Sequence, residues 1–493
     1  MTAEIVYDVV IIGAGPGGYV AAIRAGQLGL RTALVEKGDL GGVCLNAGCI
    51  PAKTLLRHAE VLDTVRGAEE FGITTGEVTF DLGRAHERKE QVVRALRQGV
   101  KGLLHKNNVD IVRGVGRIAG APMRSEGPVG SVDALGEVVV QPADGVEVRL
   151  KTRNVILATG SVPRPLPGVP FDEAVILSTT GALQLQQVPR RFGVLGAGPG
   201  GVEFAYLYRV LGAEQVTLVE ALPRVLPRED SEIGALVHES LEKRGIRVEA
   251  GARATDVLPT ADGVGFQLTT SLQTQGLRRS GTPQAETVEV DCLLVSIGIQ
   301  PVTEGLGLDE AGVMRDPRGF IVVDEYMRTS AAGVYAIGDV IPTPPLANVA
   351  SAEGIAVVEQ IAGRKVEPLE YEKVPRGVYC HPEVGAVGLT EEQARQRGYD
   401  VRVGRFPFRN NGRALLMGHT EGLVKVVSEA RYGEILGVHI FGPEATTLLG
   451  EAGVALAFEY TDEDLGYAPH AHPTLAESLQ EAALAAIGRA IHA

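Results

Sequence analysis

Two stretches of one design, 183 residues apart, constrain this chain more than anything else in it. In the first, the apolar run Tyr7–Ile12 enters Gly13-Ala14-Gly15-Pro16-Gly17-Gly18. A helical stretch from Tyr19 to Leu28 follows, and then a strand from Thr32 to Val35 that ends at Glu36. In the second, Arg191–Leu195 enters Gly196-Ala197-Gly198-Pro199-Gly200-Gly201. Val202-Glu203 opens the next helix, and strand Val216–Val219 ends at Glu220. Strand, glycine turn, helix, strand and acid in this register are the parts of a nucleotide-binding βαβ unit. Gly13 and Gly196 permit the tight turn, Gly15 and Gly198 let backbone approach a pyrophosphate, and Gly18 and Gly201 let helix and strand pack closely. The helix N-terminus then faces the phosphate charge. Glu36 and Glu220 are placed to hydrogen-bond an adenosine ribose. The separation is too great for two halves of one unit, so two dinucleotide sites are expected. At the second, a 2′-phosphate would be repelled by Glu220, which favours NAD over NADP; Arg224 nearby is the opposing signal.

The stretch Gly38–Lys53, GDLGGVCLNAGCIPAK, supplies the chemistry. The chain has four cysteines, and two of them, Cys44 and Cys49, lie here with four residues between them. A zinc site needs more thiolate or imidazole ligands nearby, and only His58 is close; no metal is expected. A structural disulfide suits an exported protein, but no secretory segment is visible. A redox pair remains, because a small loop closes cheaply and a dithiol cycles if one sulphur meets an electron donor and the other a substrate. Cys49 sits at an apparent helix start, where amides and dipole favour a thiolate. Lys53 lies one turn further on.

Composition bounds the rest. The length of 493 residues gives a prior of about three domains. With 63 glycines and 27 prolines, an α/β chain with many tight turns is expected. A net charge of −14 argues against a nonspecific grip on nucleic acid, and no stretch has the 18 apolar residues of a membrane span. Low cysteine usage points to a reducing compartment, the cytoplasm. Along the chain, helix is expected over Glu87–His105 and strand over Val109–Gly116. A small antiparallel addition is expected over 121–150, and a buried strand from Val155 ends at Ala158-Thr159-Gly160. Ile246–Leu258 and Val264–Thr269 read as strands, and 271–287 as a hairpin excursion. The apolar run at Cys292 reads as holding a buried, inert thiol and ends at Gly298. Strand Val334–Ile337 ends on Gly338-Asp339, placed for the sugar-alcohol part of a flavin, and helix runs from Ala347 to Ile361. From Pro375 four strands separated by turns suggest an antiparallel sheet, followed by helices near 444–459 and 474–490. Cys380-His381 offers too few donors for a metal, and Arg409–Arg413 reads as a solvated basic turn. The ending, Tyr467-Ala-Pro-His470-Ala-His472-Pro473-Thr-Leu-Ala-Glu477, places a histidine before an expected helix start at Pro473 and a carboxylate within reach of it.

GGVCLNAGCIPAK, both GAGPGG segments, ATGS, YAIGDV and HAHPTLAE, placed along residues 5–490 in the family's order, resemble the dihydrolipoamide dehydrogenase family of FAD-dependent pyridine-nucleotide disulfide oxidoreductases. The resemblance implies an α/β fold of two Rossmann-like dinucleotide-binding domains with a C-terminal α+β dimerisation domain. Its parts would be residues 1–155 for the first part of the FAD-binding domain and 156–285 for the NAD-binding domain. Residues 286–355 would form a central segment completing the FAD region, and 356–493 the interface domain. By resemblance Cys44 exchanges with the lipoyl group and Cys49 lies beside the flavin. Lys53 and Glu203 form an ion pair near it, and His472, oriented by Glu477, is the acid–base residue, supplied across a homodimer. Thr159, Gly160, Gly298, Asp339 and Ala347 complete the implied cofactor contacts. Val43 stands where threonine is common, alanine precedes Lys53 where serine is frequent, and Ile341–Ala350 departs from the usual pattern after Asp339.

The implied reaction is oxidation of protein-bound dihydrolipoyl groups by NAD+ through the Cys44–Cys49 disulfide and FAD. The implied partner is the lipoyl-bearing acyltransferase component of a 2-oxo-acid dehydrogenase complex, with no nucleic acid and no membrane involved. Another FAD-dependent disulfide reductase, such as glutathione or mercuric reductase, and a nonenzymatic flavoprotein subunit are the alternatives. Glu220 and HPTLAE disfavour the first of these reductases, and the absence of a terminal cysteine pair disfavours the second.

Overall fold

The computed structural model describes residues 5–124, 132–270 and 285–492. The expected hairpin excursion at 271–287 lies almost wholly outside them. The chain divides into two compact units.

The first unit comprises residues up to 54, 86–164 and 298–371. Its centre is a five-stranded, all-parallel sheet in the order Val334–Ala336, Val155–Leu157, Val9–Ile12, Thr32–Glu36, Asp110–Arg113. Val9, Val10, Ile11, Val155, Ile156 and Leu157 are wholly buried, as strands covered on both faces must be. Helix Pro16–Gln27 packs Ala21, Ala22 and Ala25 inward, and helix Ala347–Ile361 lies against it. The two helices approach closely because Gly354 faces Gly17: a Cβ on Gly354 would stand 2.6 Å from the Gly17 carbonyl oxygen. The expected strand Val109–Gly116 is two strands. It breaks at Gly114 (φ +148°), and the chain leaves the parallel sheet for a four-stranded sheet containing Val115–Gly120, Gly136–Gln141 and Val148–Thr152.

The second unit comprises 55–85, 165–297 and 372 onward. Its parallel sheet runs Ile176–Leu177, Cys292–Val295, Arg191–Leu195, Gln215–Glu220, Ile246–Ala250. This unit runs on past the expected boundary at 285, because Cys292–Val295 pairs with Arg191–Leu195 inside that sheet. The expected strand Ile246–Leu258 is also divided. Gly251 (φ +70°) turns the chain out of the parallel sheet into an antiparallel one formed by Ala252–Thr260, Gly263–Thr270 and Glu286–Val290.

The C-terminal part is a five-stranded antiparallel sheet in the order Arg376–Val378, Glu383–Gly388, Ile435–Gly442, Leu423–Glu429, Val401–Pro407. Three helices follow, not two: Ala445–Ala457, Asp462–Tyr467 and Glu477–Ala486. The extra one is set by a capping box between Thr461 and Asp464. The last helix rests directly on the sheet at Gly404, where a Cβ would lie 1.8 Å from the Ala482 carbonyl oxygen. No helix among the described residues is long and apolar enough to cross a membrane.

Candidate active site

The two glycine turns repeat one construction. A Cβ on Gly18 would stand 1.8 Å from the Gly13 oxygen, and one on Gly201 1.8 Å from the Gly196 oxygen, so both third glycines are demanded by packing. Gly13 (φ +107°) and Gly196 (φ +97°) take the backbone conformation that favours glycine. At the middle glycines the space is open. A Cβ on Gly198 would meet nothing within 4 Å, and one on Gly15 only the Gly42 Cα at 4.0 Å. These glycines cap helices Pro16–Gln27 and Pro199–Leu211, and neither helix has a side-chain cap, so the first amides face an open cradle. Two such cradles fit dinucleotide pyrophosphates. Each terminal acid braces its own turn: Glu36 accepts from the Ala14 and Gly38 amides, both at 2.7 Å. Glu220 accepts from the Ala197 amide at 2.7 Å and the Leu222 amide at 2.8 Å. Arg224 reaches Glu392 at 3.2 Å, so its charge is already countered.

The cysteine stretch is seated on the first turn. Gly41 donates its amide to the Ala14 oxygen at 2.8 Å, and a Cβ on Gly42 would lie 2.5 Å from the Gly15 Cα. Cys44 lies in a short helix, Gly42–Ala47, rather than a loop, and Cys49 is the first residue of helix Cys49–Arg66. Asn46 ties the short helix down, donating to the Leu40 and Gly42 oxygens and accepting from Arg97, which also pairs with Asp39. The Cys44 and Cys49 side chains are hydrogen-bonded to each other. That hydrogen bond, with burial and the charge of Cys49 added, raises the Cys44 thiol, while Lys53 acts in the opposite direction. Cys44 therefore holds its proton more firmly than a free thiol, while Cys49 stands at a helix N-terminus, where amides and dipole favour a thiolate.

The remaining expected contacts of this unit converge on the strand ends. Gly160 (φ +70°) has open space where a Cβ would project, and Thr159 donates its hydroxyl to the Val302 oxygen at 2.7 Å. Gly298 (φ +118°) is open in the same way, and its oxygen accepts the Arg164 amide. Ser161 donates to Asp339 at 2.8 Å; burial raises the Asp339 carboxyl and this hydrogen bond acts against it. Ala347 opens its helix without a side-chain cap. Sequence reasoning missed Glu353, which is fully buried, accepts the Gly338 amide at 2.6 Å and the Tyr371 hydroxyl at 2.9 Å, and so holds the Asp339 turn. An acid among the small and apolar residues of 350–358 was its only signal.

In the second unit Glu203 is buried on helix Pro199–Leu211 and accepts the Tyr379 amide at 2.9 Å. His472 Nδ1 donates to Glu477 Oε1 at 2.8 Å, which leaves Nε2 outward on a side chain 80% exposed. The helix starts at Glu477 instead of Pro473, because Glu477 Oε2 takes the Thr474 amide at 2.8 Å and 473–476 form the turn that delivers it. Burial raises the Glu477 carboxyl, but the Thr474 amide, His472 and His470 together leave it below the ordinary range. The expected basic turn has exposed Arg409 and Arg413, but Asn411 between them is buried and donates to the Thr474 oxygen and Ser478 Oγ, both at 3.0 Å. It thereby positions the histidine segment. Cys292 is half-buried rather than buried, its thiol pushed up to about 11 by burial. Cys380 is buried with a raised thiol, and burial lowers His381 to about 4, so neither is poised for chemistry.

A sequence profile of the pyridine nucleotide-disulphide oxidoreductases matches residues 7–354, and one of their dimerisation domain matches 374–483. The chain is 42% identical to a dihydrolipoyl dehydrogenase of Bacillus subtilis over 99% of both chains. It is 44% identical to one of Thermus scotoductus, over 99% of this chain and 98% of that one. The chain belongs to the dihydrolipoyl dehydrogenase family. A member of this family is an oxidoreductase, so the reading as a nonenzymatic subunit falls. Among solved structures the chain is similar to LpdA from Mycobacterium tuberculosis, with TM-score 0.86 and 29% identity over 96% of this chain and 98% of that one. It is also similar to the HOCl-induced flavoprotein disulfide reductase RclA from Escherichia coli, with TM-score 0.80 and 26% identity over 97% and 99%. Family membership therefore agrees with two Rossmann-like domains, a dimerisation domain and a redox-active cysteine pair.

Proposed function

We propose that this chain oxidises protein-bound dihydrolipoyl groups with NAD+, using FAD at the first glycine cradle and NAD+ at the second. The carrying observation is that Cys44, hydrogen-bonded to Cys49, lies on a short helix packed against Gly15 of the first cradle. NAD+ rather than NADP+ is supported by Glu220 on the turn and by Arg224 being engaged with Glu392.

The working form is a homodimer in which His472 of one protomer serves the cysteine pair of its partner. With the pair oxidised, His472 Nε2 takes a proton from one dihydrolipoyl thiol, and the thiolate attacks Cys44 Sγ. The Cys44–Cys49 bond breaks and Cys49 leaves as a thiolate, held by the amides at its helix start. His472 then passes its proton to the departing Cys44 and takes the proton of the second dihydrolipoyl thiol as that sulphur closes the lipoyl disulfide, and finally releases this proton to solvent. FAD, when bound at the first cradle, would supply the two-electron chemistry that links the dithiol to hydride transfer onto NAD+. The electrons originate in the lipoyl-bearing acyltransferase component of a 2-oxo-acid dehydrogenase complex, in the cytoplasm.

A Cys49→Ser enzyme is expected to keep FAD and to keep passing electrons from NADH to a dye that accepts from flavin. It is expected to lose NAD+ reduction by dihydrolipoamide. Unchanged dihydrolipoamide turnover in that variant would reject the dithiol route.

A further inference from the structure

The C-terminal segment carries a second histidine–carboxylate pair that the reaction above does not use. His470 Nε2 lies 2.7 Å from Glu451 Oε1, and His470 Nδ1 lies 2.7 Å from the Ala468 carbonyl oxygen. Neither partner has a proton to give when Glu451 is ionised, so both ring nitrogens must donate and the ring is an imidazolium. The side chain is 7% exposed, against 80% for His472 two residues on. Two neighbours in sequence thus have opposite settings, one sealed and doubly bonded, the other open with one nitrogen outward.

Two carboxylates face this cation from different helices: Glu451 on Ala445–Ala457 through a hydrogen bond, and Glu477 on Glu477–Ala486 through charge. The hydrogen bond to Glu451 comes first among the influences that raise His470, and it acts against burial, with Glu477 and the Ala468 carbonyl contributing in the same direction. Glu477 in turn holds His472. The interactions therefore run from Glu451 to His470, from His470 to Glu477 and from Glu477 to His472, the imidazole that faces solvent.

We propose that His470 is a positioning residue for the reaction, a fixed cation that draws on the Glu477 carboxylate and so keeps His472 ready to accept a proton from substrate. This rests on the reading of His472 as the acid–base residue. Without the His470 charge, Glu477 and the bare Glu451 hold a proton on His472 more firmly, and a larger share of the enzyme enters the cycle with its base already protonated. Glu451 secures His470 in the charged form, so losing Glu451 weakens the same effect without leaving an unpaired carboxylate behind.

The test is the pH dependence of kcat/KM for dihydrolipoamide in the FAD-loaded parent, His470→Gln, Glu451→Gln and His472→Gln enzymes. The acidic limb is expected to move to higher pH by about 0.3–0.7 of a unit in His470→Gln, the scale of a partly screened charge pair. A smaller move in the same direction is expected in Glu451→Gln. A limb that stays in place, or moves to lower pH, in a His470→Gln enzyme with parental flavin content overturns the proposal. If His470→Gln does not retain flavin, Glu451→Gln decides by the same criterion. His472→Gln separates the two readings. If it loses turnover while the limb of His470→Gln is unmoved, only the tuning role fails; if it turns over normally with a parental profile, the base assignment fails first.

Discussion

Replacing Glu477 by glutamine tests the geometry of the histidine segment. The carboxylate has two occupied oxygens, Oε1 accepting from His472 Nδ1 and Oε2 from the Thr474 amide, both at 2.8 Å. Both partners donate, so an amide can serve only one of them. If its oxygen turns to His472, its NH2 opposes the Thr474 amide; if its NH2 turns to His472, Nδ1 must accept, and the outward Nε2 then carries the proton and is no longer a base. The favoured arrangement replaces a charge-assisted hydrogen bond by a neutral one, a difference of about 1–1.5 kcal/mol. Carried into the barrier, that is a roughly 5–13-fold loss of kcat for dihydrolipoamide oxidation. Steady-state kinetics at the pH optimum, with flavin content measured alongside, reads this directly. His472→Gln removes proton transfer itself and is expected to lose about 10²–10⁴-fold. A Glu477→Gln enzyme within 1.5-fold of parent, or as impaired as His472→Gln, would refute this ordering of roles.

Gly201→Ala and Gly198→Ala should separate packing from ligand approach. The first drives a Cβ to 1.8 Å from the Gly196 oxygen and is expected to lower Tm as well as raise the KM for NAD+ about tenfold or more. The second has no protein atom within 4 Å, so Tm should hold while the KM for NAD+ rises. Lys425 is buried with its Nζ 2.9 Å from Asp230, 3.1 Å from Glu232 and 2.9 Å from Glu391, and Lys425→Met should cost about 3–5 kcal/mol by stranding those carboxylates. Burial raises Asp230, but His439, Lys425 and the Glu391 amide outweigh it and leave its folded-state pKa below the ordinary 3.8. A depressed carboxylate stabilises the fold above its unfolded value and loses that contribution as pH falls through the folded one. The thermal stabilities of parent and Lys425→Met should therefore differ at neutral pH and converge below about pH 4; a constant gap would argue against the ion cluster.

Much of this was legible because local and long-range demands coincide. Helix Ala347–Ile361 and strand Thr32–Glu36 sit where their patterns place them, and both glycine turns need the residues they contain. The departures cluster where one backbone angle redirects the chain. Gly114 and Gly251 each divide a strand-like run between two sheets, which periodicity cannot register, since the alternation continues on both sides of the glycine. Helix Gly42–Ala47 was hidden by two glycines of positive φ at its start, Gly41 and Gly42, which read as a turn. The cysteines and the His472–Glu477 pair were visible as spacing and motif. Their supports, Asn46, Glu353, Asn411 and the His470–Glu451 pair, were not. Each acts through partners remote in sequence or through a carbonyl, and a single buried polar residue gives no periodic signal.

The central claim is that electrons pass from a dihydrolipoyl dithiol through Cys44 and Cys49 to NAD+. Anaerobic stopped-flow absorbance of the FAD-loaded enzyme mixed with dihydrolipoamide, then with NAD+, tests it most directly. The account predicts rapid appearance of a long-wavelength band from a thiolate beside flavin, followed by NADH at 340 nm, with both events absent in Cys49→Ser. A flavin that NADH reduces but dihydrolipoamide does not would contradict it and assign the cysteine pair to another disulfide substrate.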